Sequence, residues 1–250
     1  MKKINGSVHR VWYEEPEIWA KEQNSRVESE CKFLDKVFRK FKVKKVLDVG
    51  CGVGSHCGVL KNLGYSPTGL DLNKKLIGYA KDHFEGIPFF VAEQNKYRFK
   101  NKFDAIYSIC TVIAFAITNE DLVKTLQNHN RALKKNGVLI ISTFNPIVFI
   151  NKAEYVSKRT DKVNSLGYFS TRKYSVDLNN QLSIDEATFY DSKTGKIVSS
   201  DKTIKRMTFP QEMRFFLEQT GFKVLGFYSD FDFKHKTLDS SYMTIVAQKK

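Results

Sequence analysis

Three glycines at alternate positions, accompanied by two acids, are the residues of this chain best suited to bind a nucleotide. Gly50, Gly52 and Gly54 follow closely after Asp48, and Asp71 comes 21 residues after Gly50. Glycine adopts backbone angles that other residues avoid and lets the main chain approach a ligand closely. A carboxylate at the position of Asp71 can accept hydrogen bonds from both hydroxyls of a ribose. The spacing therefore predicts an adenosine-binding site.

The spacing of the glycines distinguishes between the nucleotides that such a loop can hold. The dinucleotide fingerprint G-x-G-x-x-G requires a glycine at position 55, where this chain has a serine. The Walker phosphate loop requires a lysine directly after its last glycine, and none stands there. The order G-x-G-x-G therefore argues against a dehydrogenase and against a phosphate-binding loop.

The segments around these residues predict half of a doubly wound sheet. An apolar strand precedes the glycines, a helix follows them, and a second strand ends at Asp71. A third strand ends at Glu93-Gln94, a fourth begins at Phe103 and a fifth at Val138. Because ligands bind at the carboxyl edge of such a sheet, the loops that follow these strands should form the site.

The sequence D-V-G-C-G-V-G, with Asp71 downstream, resembles the class I S-adenosylmethionine (SAM) methyltransferases. The F-D-A-I of the fourth strand and the L-K-x-x-G-V-L-I that leads into the fifth are also typical of this family. The resemblance covers about residues 44–149 and 208–248. It implies an α/β fold with a doubly wound, seven-stranded Rossmann-like sheet whose last strand is antiparallel.

The resemblance also implies a cofactor and the residues that hold it. The chain would bind SAM and release S-adenosylhomocysteine (SAH), with the glycine loop around the methionine end of SAM. An acid after the third strand would accept from the adenine amino group, and the loop after the fourth strand would flank the sulfonium. The residues expected at the cofactor are Asp48, Gly50, Cys51, Gly52, Gly54, Asp71, Leu72, Glu93, Gln94, Cys110 and Thr111.

Residues 1–43 follow the family only in general plan. They contain an aromatic segment and a helical pattern, and related enzymes use such a segment to cover the cofactor. On that resemblance, Tyr13 and Trp19 would line a lid and Arg26 would face the cofactor carboxylate. The alternative is that the aromatic side chains only pack the helix onto the sheet.

Residues 150–207 interrupt the methyltransferase domain, which is expected over residues 44–149 and 208–250. Three antiparallel strands are predicted in this insert, over 164–176, 180–190 and 196–208. Small-molecule methyltransferases such as the aminosugar N-methyltransferases resemble this plan, and the insert would then cover the methyl acceptor. A subunit interface is the other interpretation, because an exposed sheet edge can pair with another chain.

No catalytic base is assigned from the sequence. Methyl transfer from a sulfonium is a displacement that needs a base only when the acceptor arrives protonated or is a poor nucleophile. The aminosugar enzymes place a histidine in the loop after the fourth strand, where this chain has Phe115. His56, next to the glycine loop, is interpreted as a packing residue. Nitrogen and oxygen acceptors both stay open.

The net charge, the apolar runs and the cysteine spacing limit the classes of partner that we expect for this chain. The net charge of +14 keeps a nucleic acid open as an alternative, although the lysines are scattered as on a solvated surface. No run reaches the about 18 apolar residues of a membrane helix, so no membrane partner is expected. The four cysteines form no C-x-x-C pair, so neither a metal site nor a disulfide is indicated. We expect a cytoplasmic protein, either a monomer or a homodimer.

The leading hypothesis is a SAM-dependent methyltransferase that acts on a nitrogen or oxygen atom of a small molecule. The first alternative is an RNA-modifying methyltransferase, which the positive charge suggests. The second is a module that binds SAM without catalysing a reaction.

Overall fold

Seven strands form one mixed sheet in the computed structural model, which describes residues 13–152, 156–160, 167–234 and 237–250. Parts of the expected lid (residues 1–12) and of the insert lie outside the described residues. The elements before the insert are α1 (Pro16–Lys40), β1 (Lys45–Val49), α2 (Ser55–Asn62), β2 (Ser66–Asp71), α3 (Lys74–His83), β3 (Phe89–Val91), β4 (Phe103–Ser108), α4 (Asn119–Ala132) and β5 (Leu133–Phe144). The later elements are α5 (Pro146–Lys152), β6 (Val156–Thr160), β7 (Tyr168–Asp177), β8 (Leu182–Asp191), β9 (Ile197–Arg206), α6 (Pro210–Gln219), β10 (Phe222–Ser229) and β11 (Tyr242–Lys249).

The strand order across this sheet is β10-β11-β5-β4-β1-β2-β3. The strands from β1 to β5 pair in parallel, and β11 pairs antiparallel with both β5 and β10. The chain order reverses between β1 and β4, where the loops diverge and leave a crevice at the carboxyl ends. The predicted seven-stranded α/β sheet with an antiparallel last strand is confirmed.

Helices cover both faces of the sheet, so its central strands read as continuous apolar runs. On one face, α1 packs Val27, Leu34 and Phe38 against β1 and β4. On the other face, α4 contributes Leu122 and Leu126, next to buried side chains of α6. None of the helices in the described part of the chain is long and apolar enough to span a membrane.

The insert is a second, antiparallel sheet in the order β6-β7-β8-β9. Three of its strands correspond to the three predicted ones, and β6 is an additional strand that the sequence did not predict. Its sequence V-S-K-R-T has a single apolar residue, so no alternation marks it as a strand. Among the described strands, those of the insert pair only with one another.

Candidate active site

The chain between β1 and α2 turns at three glycines whose φ angles are positive: +82° at Gly50, +53° at Gly52 and +84° at Gly54. Glycine reaches this left-handed region without the strain that a Cβ atom causes. The N–H groups of Gly50 and Cys51 both donate to the carbonyl of Leu70, at 2.8 and 3.0 Å. These bonds hold the turn against the end of β2.

Lack of space, as well as φ, requires glycine in this turn. A Cβ atom on Gly50 would lie 2.4 Å from Cγ2 of Val112, and one on Gly52 would lie 3.1 Å from Nε1 of Trp19. Gly54 occupies the N-cap position of α2, so Ser55 is the first residue of the helix and no side chain caps it. The main chain of the turn therefore packs directly against Val112 and Trp19.

Asp71 at the end of β2 is bonded to the glycine turn. Its Oδ2 accepts from the Gly52 N–H at 3.0 Å and its Oδ1 accepts from the Asn73 N–H at 2.8 Å. Burial raises the pKa of Asp71, and the hydrogen bonds from Asn73 and Gly52 oppose that rise. Each oxygen keeps a second lone pair, which suits a ligand with two adjacent hydroxyls.

Asp48 lies beneath the glycine turn and is only 2% exposed. Burial raises its pKa to about 6, although the charge of His56 and hydrogen bonds from Tyr107 and Cys57 oppose the rise. The Cys57 thiol donates to Asp48 Oδ2 at 3.6 Å. Asp48 is thus mostly ionised at neutral pH, at the base of the turn.

The aromatic pair Tyr13 and Trp19 covers the turn. The two ring centroids are 4.9 Å apart, and the Tyr13 carbonyl accepts from Nδ2 of Asn73 at 3.4 Å. Burial raises the pKa of Tyr13, and the neighbouring Asp71 and Cys110 raise it further. Trp19 Nε1 is buried without a hydrogen-bond acceptor in the described part of the chain. The aromatic side chains therefore lie at the crevice.

Three predicted residues lie at the ends of β2 and β3. Leu72 follows Asp71 and is 65% exposed. Glu93 pairs with Lys96 at 2.7 Å. The Gln94 carbonyl accepts from Asn128 at 3.1 Å, while Gln94 Oε1 is buried with no partner among the described residues.

The loop after β4 has an unusual backbone. Cys110 and Thr111 have φ angles of +55° and +65°, a region that residues other than glycine seldom adopt. The Thr111 N–H donates to the carbonyl of Ser142 on β5 at 3.1 Å, which fixes the turn. Strained turns of this kind cluster at functional sites. No sequence signal predicted this strain.

A cavity of about 290 Å³ opens beside this loop, lined by Arg26, Glu30, His56, Cys110, Thr111, Ser142, Lys205 and Tyr242. Three of these were predicted at the cofactor: Arg26, Cys110 and Thr111. Sequence reasoning missed Glu30, Ser142, Lys205 and Tyr242, and it interpreted His56 as packing. Lys205 comes from β9, so the insert supplies one wall of the cavity.

A chain of charged groups crosses this cavity. Arg26 pairs with Asp230 at 2.9 Å and with Glu30 at 3.3 Å, and Glu30 also contacts His56 Nε2 at 2.7 Å. Arg26 also lies over the ring of Tyr242, 5.1 Å from its centroid. The helix α1 is thereby joined to both α2 and the loop between β10 and β11.

Comparisons with known proteins agree with this geometry. A family model described as a methyltransferase domain matches residues 46–137, from β1 into β5. A Bacillus subtilis protein described as the putative methyltransferase YqeM is 24% identical over 213 residues. The match covers 82% of this chain and 84% of YqeM. The ubiquinone biosynthesis O-methyltransferase of Pelagibacter ubique is 33% identical over 123 residues, covering 46% of this chain and 50% of that enzyme.

Solved structures share the fold over nearly the whole chain. The sugar N-methyltransferase KedS8 from a Streptoalloteichus species matches with a TM-score of 0.73 and 18% identity. The match covers 98% of this chain and 95% of that one. The likeness therefore includes the insert as well as the seven-stranded sheet.

Proposed function

Since this chain is a class I SAM-dependent methyltransferase, we propose that it transfers a methyl group to a nitrogen or oxygen atom of a small molecule. The observation that carries the proposal is the cavity of about 290 Å³ between the loop after β4 and the insert. Its volume is close to that of small-molecule sites in general. The similar proteins include both N-methyltransferases and O-methyltransferases, so they do not favour one acceptor atom over the other.

The residues of the crevice fit SAM as the methyl donor. Trp19 Nε1 and Gln94 Oε1 are buried polar atoms without partners in the described part of the chain, a situation that costs free energy unless a ligand satisfies them. The three glycines of the turn carry no side chain that would keep a ligand away from the main chain. When bound, SAM supplies a methyl group that its sulfonium activates.

We assign the adenosine half of the cofactor to the ends of β2 and β3. Asp71 would accept from the ribose hydroxyls, and the exposed Leu72 would cover a face of the adenine ring. Glu93 would accept from the adenine amino group once it leaves Lys96, and Gln94 would contact the ring nitrogen. In this assignment the exposed Leu72 side chain would become buried against the adenine ring.

We assign the methionine half to the glycine turn and the helix α1. Arg26 would bind the carboxylate, for which its guanidinium is suited, and Gly50, Cys51, Gly52 and Gly54 would line the main-chain wall. Asp48 would stabilise the ammonium group from below the turn. Cys110 and Thr111 would flank the reacting atoms.

Besides binding SAM, the protein would position the methyl acceptor and exclude water from the site. Residues 1–43 would act as a lid through Tyr13 and Trp19, over a SAM-binding domain of residues 44–149 and 208–250. Residues 150–207 would cover the acceptor, because Lys205 lines the cavity. A subunit interface on the exposed edge of the insert is compatible with that role.

A labelling experiment tests the function. The purified protein is incubated with methyl-labelled SAM and either a bacterial small-molecule extract or total RNA. We expect label in one or a few small molecules and none in RNA. Label in RNA alone would establish the alternative that the net charge of +14 suggests. Binding of SAH without any transfer would instead indicate a binding module.

A further inference from the structure

Lys205 is the charged side chain that the insert contributes to the cavity. It lies on β9, opposite Ser183 of β8, and its ammonium is 5.4 Å from the centroid of the Phe115 ring. Phe115 ends the short helical turn that follows Cys110 and Thr111, which line the same cavity. Lys205 therefore faces the loop after β4, where the acceptor is proposed to bind.

The Lys205 ammonium has no hydrogen bond and no ion pair within the described residues. The nearby acid Asp185 is already bonded to Arg172, whose Nη1 donates to Asp185 Oδ2 at 3.0 Å. Lys205 is partly buried in the wall of the cavity, and burial disfavours the charged form of a lysine, whereas the face of the Phe115 ring favours it. No carboxylate in the described part of the chain bonds to Lys205 to hold its proton, so the amine is available to exchange a proton with a ligand.

The surrounding charges act in both directions on this lysine. Burial lowers the pKa of Lys205, Asp185 and Cys110 oppose the fall, and Arg172 adds to it. The other ionisable groups that line the cavity are Arg26, Glu30, His56 and Tyr242. Arg26 and Glu30 already bind each other, so neither provides Lys205 with a separate counter-ion.

We propose that Lys205 is the catalytic base of this methyltransferase and that the methyl acceptor is an amine that enters as an ammonium ion. The proposal rests on the proposed function. Lys205 Nζ accepts one proton from the ammonium, and the freed nitrogen lone pair forms the bond to the methyl carbon. The electron pair of the broken carbon–sulfur bond stays on sulfur, giving SAH, and the proton on Lys205 leaves to solvent.

The strength of the base selects the acceptor. An alkylammonium has a pKa near that of a free lysine, about 10.4, so a lysine amine is a base of comparable strength to the amine of the acceptor. An aliphatic hydroxyl holds its proton far more tightly than either, with a pKa close to that of water. Lys205 therefore matches a nitrogen acceptor better than an alcohol.

His56 is the competing base in the same cavity. Its Nε2 is bonded to Glu30 at 2.7 Å, and it lies at the start of α2, directly after the glycine turn. That end of the site is assigned to the methionine half of the cofactor. Lys205 instead faces the loop after β4 from the side of the insert, which is the acceptor side.

The first test measures proton binding and needs no acceptor. The protein is labelled with ¹³C at the lysine ε carbons, and Lys205 is identified as the resonance that Lys205→Arg removes. With SAH bound, we expect this resonance to titrate at a clearly lower pH than free Nα-acetyl-lysine in the same tube. Titration of Lys205 together with the free standard would overturn the proposal.

The second test measures transfer to a panel of primary amino sugars and to analogues that carry a hydroxyl in place of the amine. Lys205→Met removes the charge, whereas Lys205→Arg keeps it but cannot act as a base near pH 7. We expect both variants to lower kcat at pH 7 by about 100-fold or more, with SAH affinity unchanged. The loss should shrink at pH 9, where more of the acceptor is unprotonated.

Controls separate this proposal from the function on which it rests. Lys202→Met and Lys202→Arg change an exposed lysine of the same strand that pairs with Glu186 at 3.0 Å, and we expect wild-type kcat from both. Wild-type kcat in Lys205→Arg, or transfer only to the hydroxyl analogues, would refute the proposal. Failure of the wild-type protein to bind SAH or to transfer methyl would contradict the proposed function, while the titration still decides the state of Lys205.

Discussion

The N–H of Gly52 donates a hydrogen bond to Oδ2 of Asp71 at 3.0 Å, so the glycine turn after β1 and the acid after β2 form one unit. Two further bonds, from Gly50 and Cys51 to the Leu70 carbonyl, fasten the same two chain segments. In the proposed assignment, the residues for the ribose and those for the methionine end of the cofactor would thereby be held at a constant separation before the ligand arrives. Pre-organisation of this kind reduces the entropy that binding costs.

Removing the Asp71 carboxylate should abolish tight cofactor binding. Asp71→Asn keeps the shape but loses the charged acceptor for the ribose hydroxyls, and charge-assisted hydrogen bonds contribute about 1.5–3 kcal/mol each. We expect SAH affinity, measured by calorimetry, to fall by at least about 10-fold.

Asp191→Asn is the matched control for this change. Asp191 is an exposed acid of the insert whose Oδ1 also accepts main-chain N–H bonds, from Thr194 at 2.7 Å and Lys193 at 3.1 Å. Asp191 is the last residue of β8, just before the turn toward β9, and its replacement should leave SAH affinity unchanged. Equal losses in the two variants would mean that Asp71 does not contact the cofactor.

The close contact between Gly50 and Val112 predicts a loss of stability. Gly50→Ala adds a Cβ atom 2.4 Å from Val112 Cγ2 at a φ of +82°, so both a clash and backbone strain oppose folding. We expect the free energy of unfolding in urea to fall by about 2–4 kcal/mol. Gly195→Ala, at a φ of +68° with no atom within 4 Å, should cost only about 1–2 kcal/mol. Val112→Ala should restore part of the loss in Gly50→Ala and none in Gly195→Ala.

Trp19 should report cofactor binding by its fluorescence. The chain has two tryptophans, so Trp12→Phe leaves Trp19 as the sole emitter. Because Trp19 Nε1 lies against Gly52, we expect SAH to change this emission and to saturate with the calorimetric Kd. In Trp19→Phe, the hydrogen-bond donor is lost and SAH affinity should fall by about 5–10-fold. If saturating SAH does not change this fluorescence emission, Trp19 lies outside the cofactor site.

The raised pKa of Asp48 predicts a stability change of definite sign. Its pKa is about 6 in the folded protein against an ordinary 3.8, so ionisation of Asp48 opposes folding above pH 6. Asp48→Asn should therefore increase the free energy of unfolding of the ligand-free protein at pH 8, by at most about 3 kcal/mol. The gain should decline below pH 6 and vanish near pH 4, as urea denaturation at several pH values would show.

Asp104→Asn provides a control of opposite sign. Burial alone would raise the pKa of Asp104, but the Lys134 ammonium at 2.6 Å and the N–H groups of Lys45 and Lys44 lower it overall. An acid with a lowered pKa stabilises the fold above its unfolded pKa, and this contribution is lost as pH falls. Asp104→Asn should thus destabilise the protein at pH 8, and the loss should shrink as the solution is acidified. A gain in Asp104→Asn at pH 8 would contradict this assignment.

Much of the fold followed from local pattern. From β1 to β3, and again from β4 to β5, apolar strands alternate with helices, and each strand predicted in this part of the chain is present in the sheet. The strand β6 was not predicted because its sequence is polar. It forms by pairing with β7, where Thr160 lies opposite Thr171. The left-handed turn at Cys110 and Thr111 escaped for a similar reason, since the hydrogen bond from Thr111 to Ser142 holds it from another strand.

The sequence by itself determined the part of the site formed by Asp48, the glycines and Asp71, because these residues lie within a single βαβ unit, where local geometry decides their positions. Only the tertiary structure decided the part that Arg26 and Lys205 form. Arg26 meets Asp230 across 204 residues, and Lys205 reaches Phe115 from a separate sheet. These contacts depend on how the helix α1 and the insert pack onto the main sheet. The spacing of residues along the chain does not predict such contacts between distant segments.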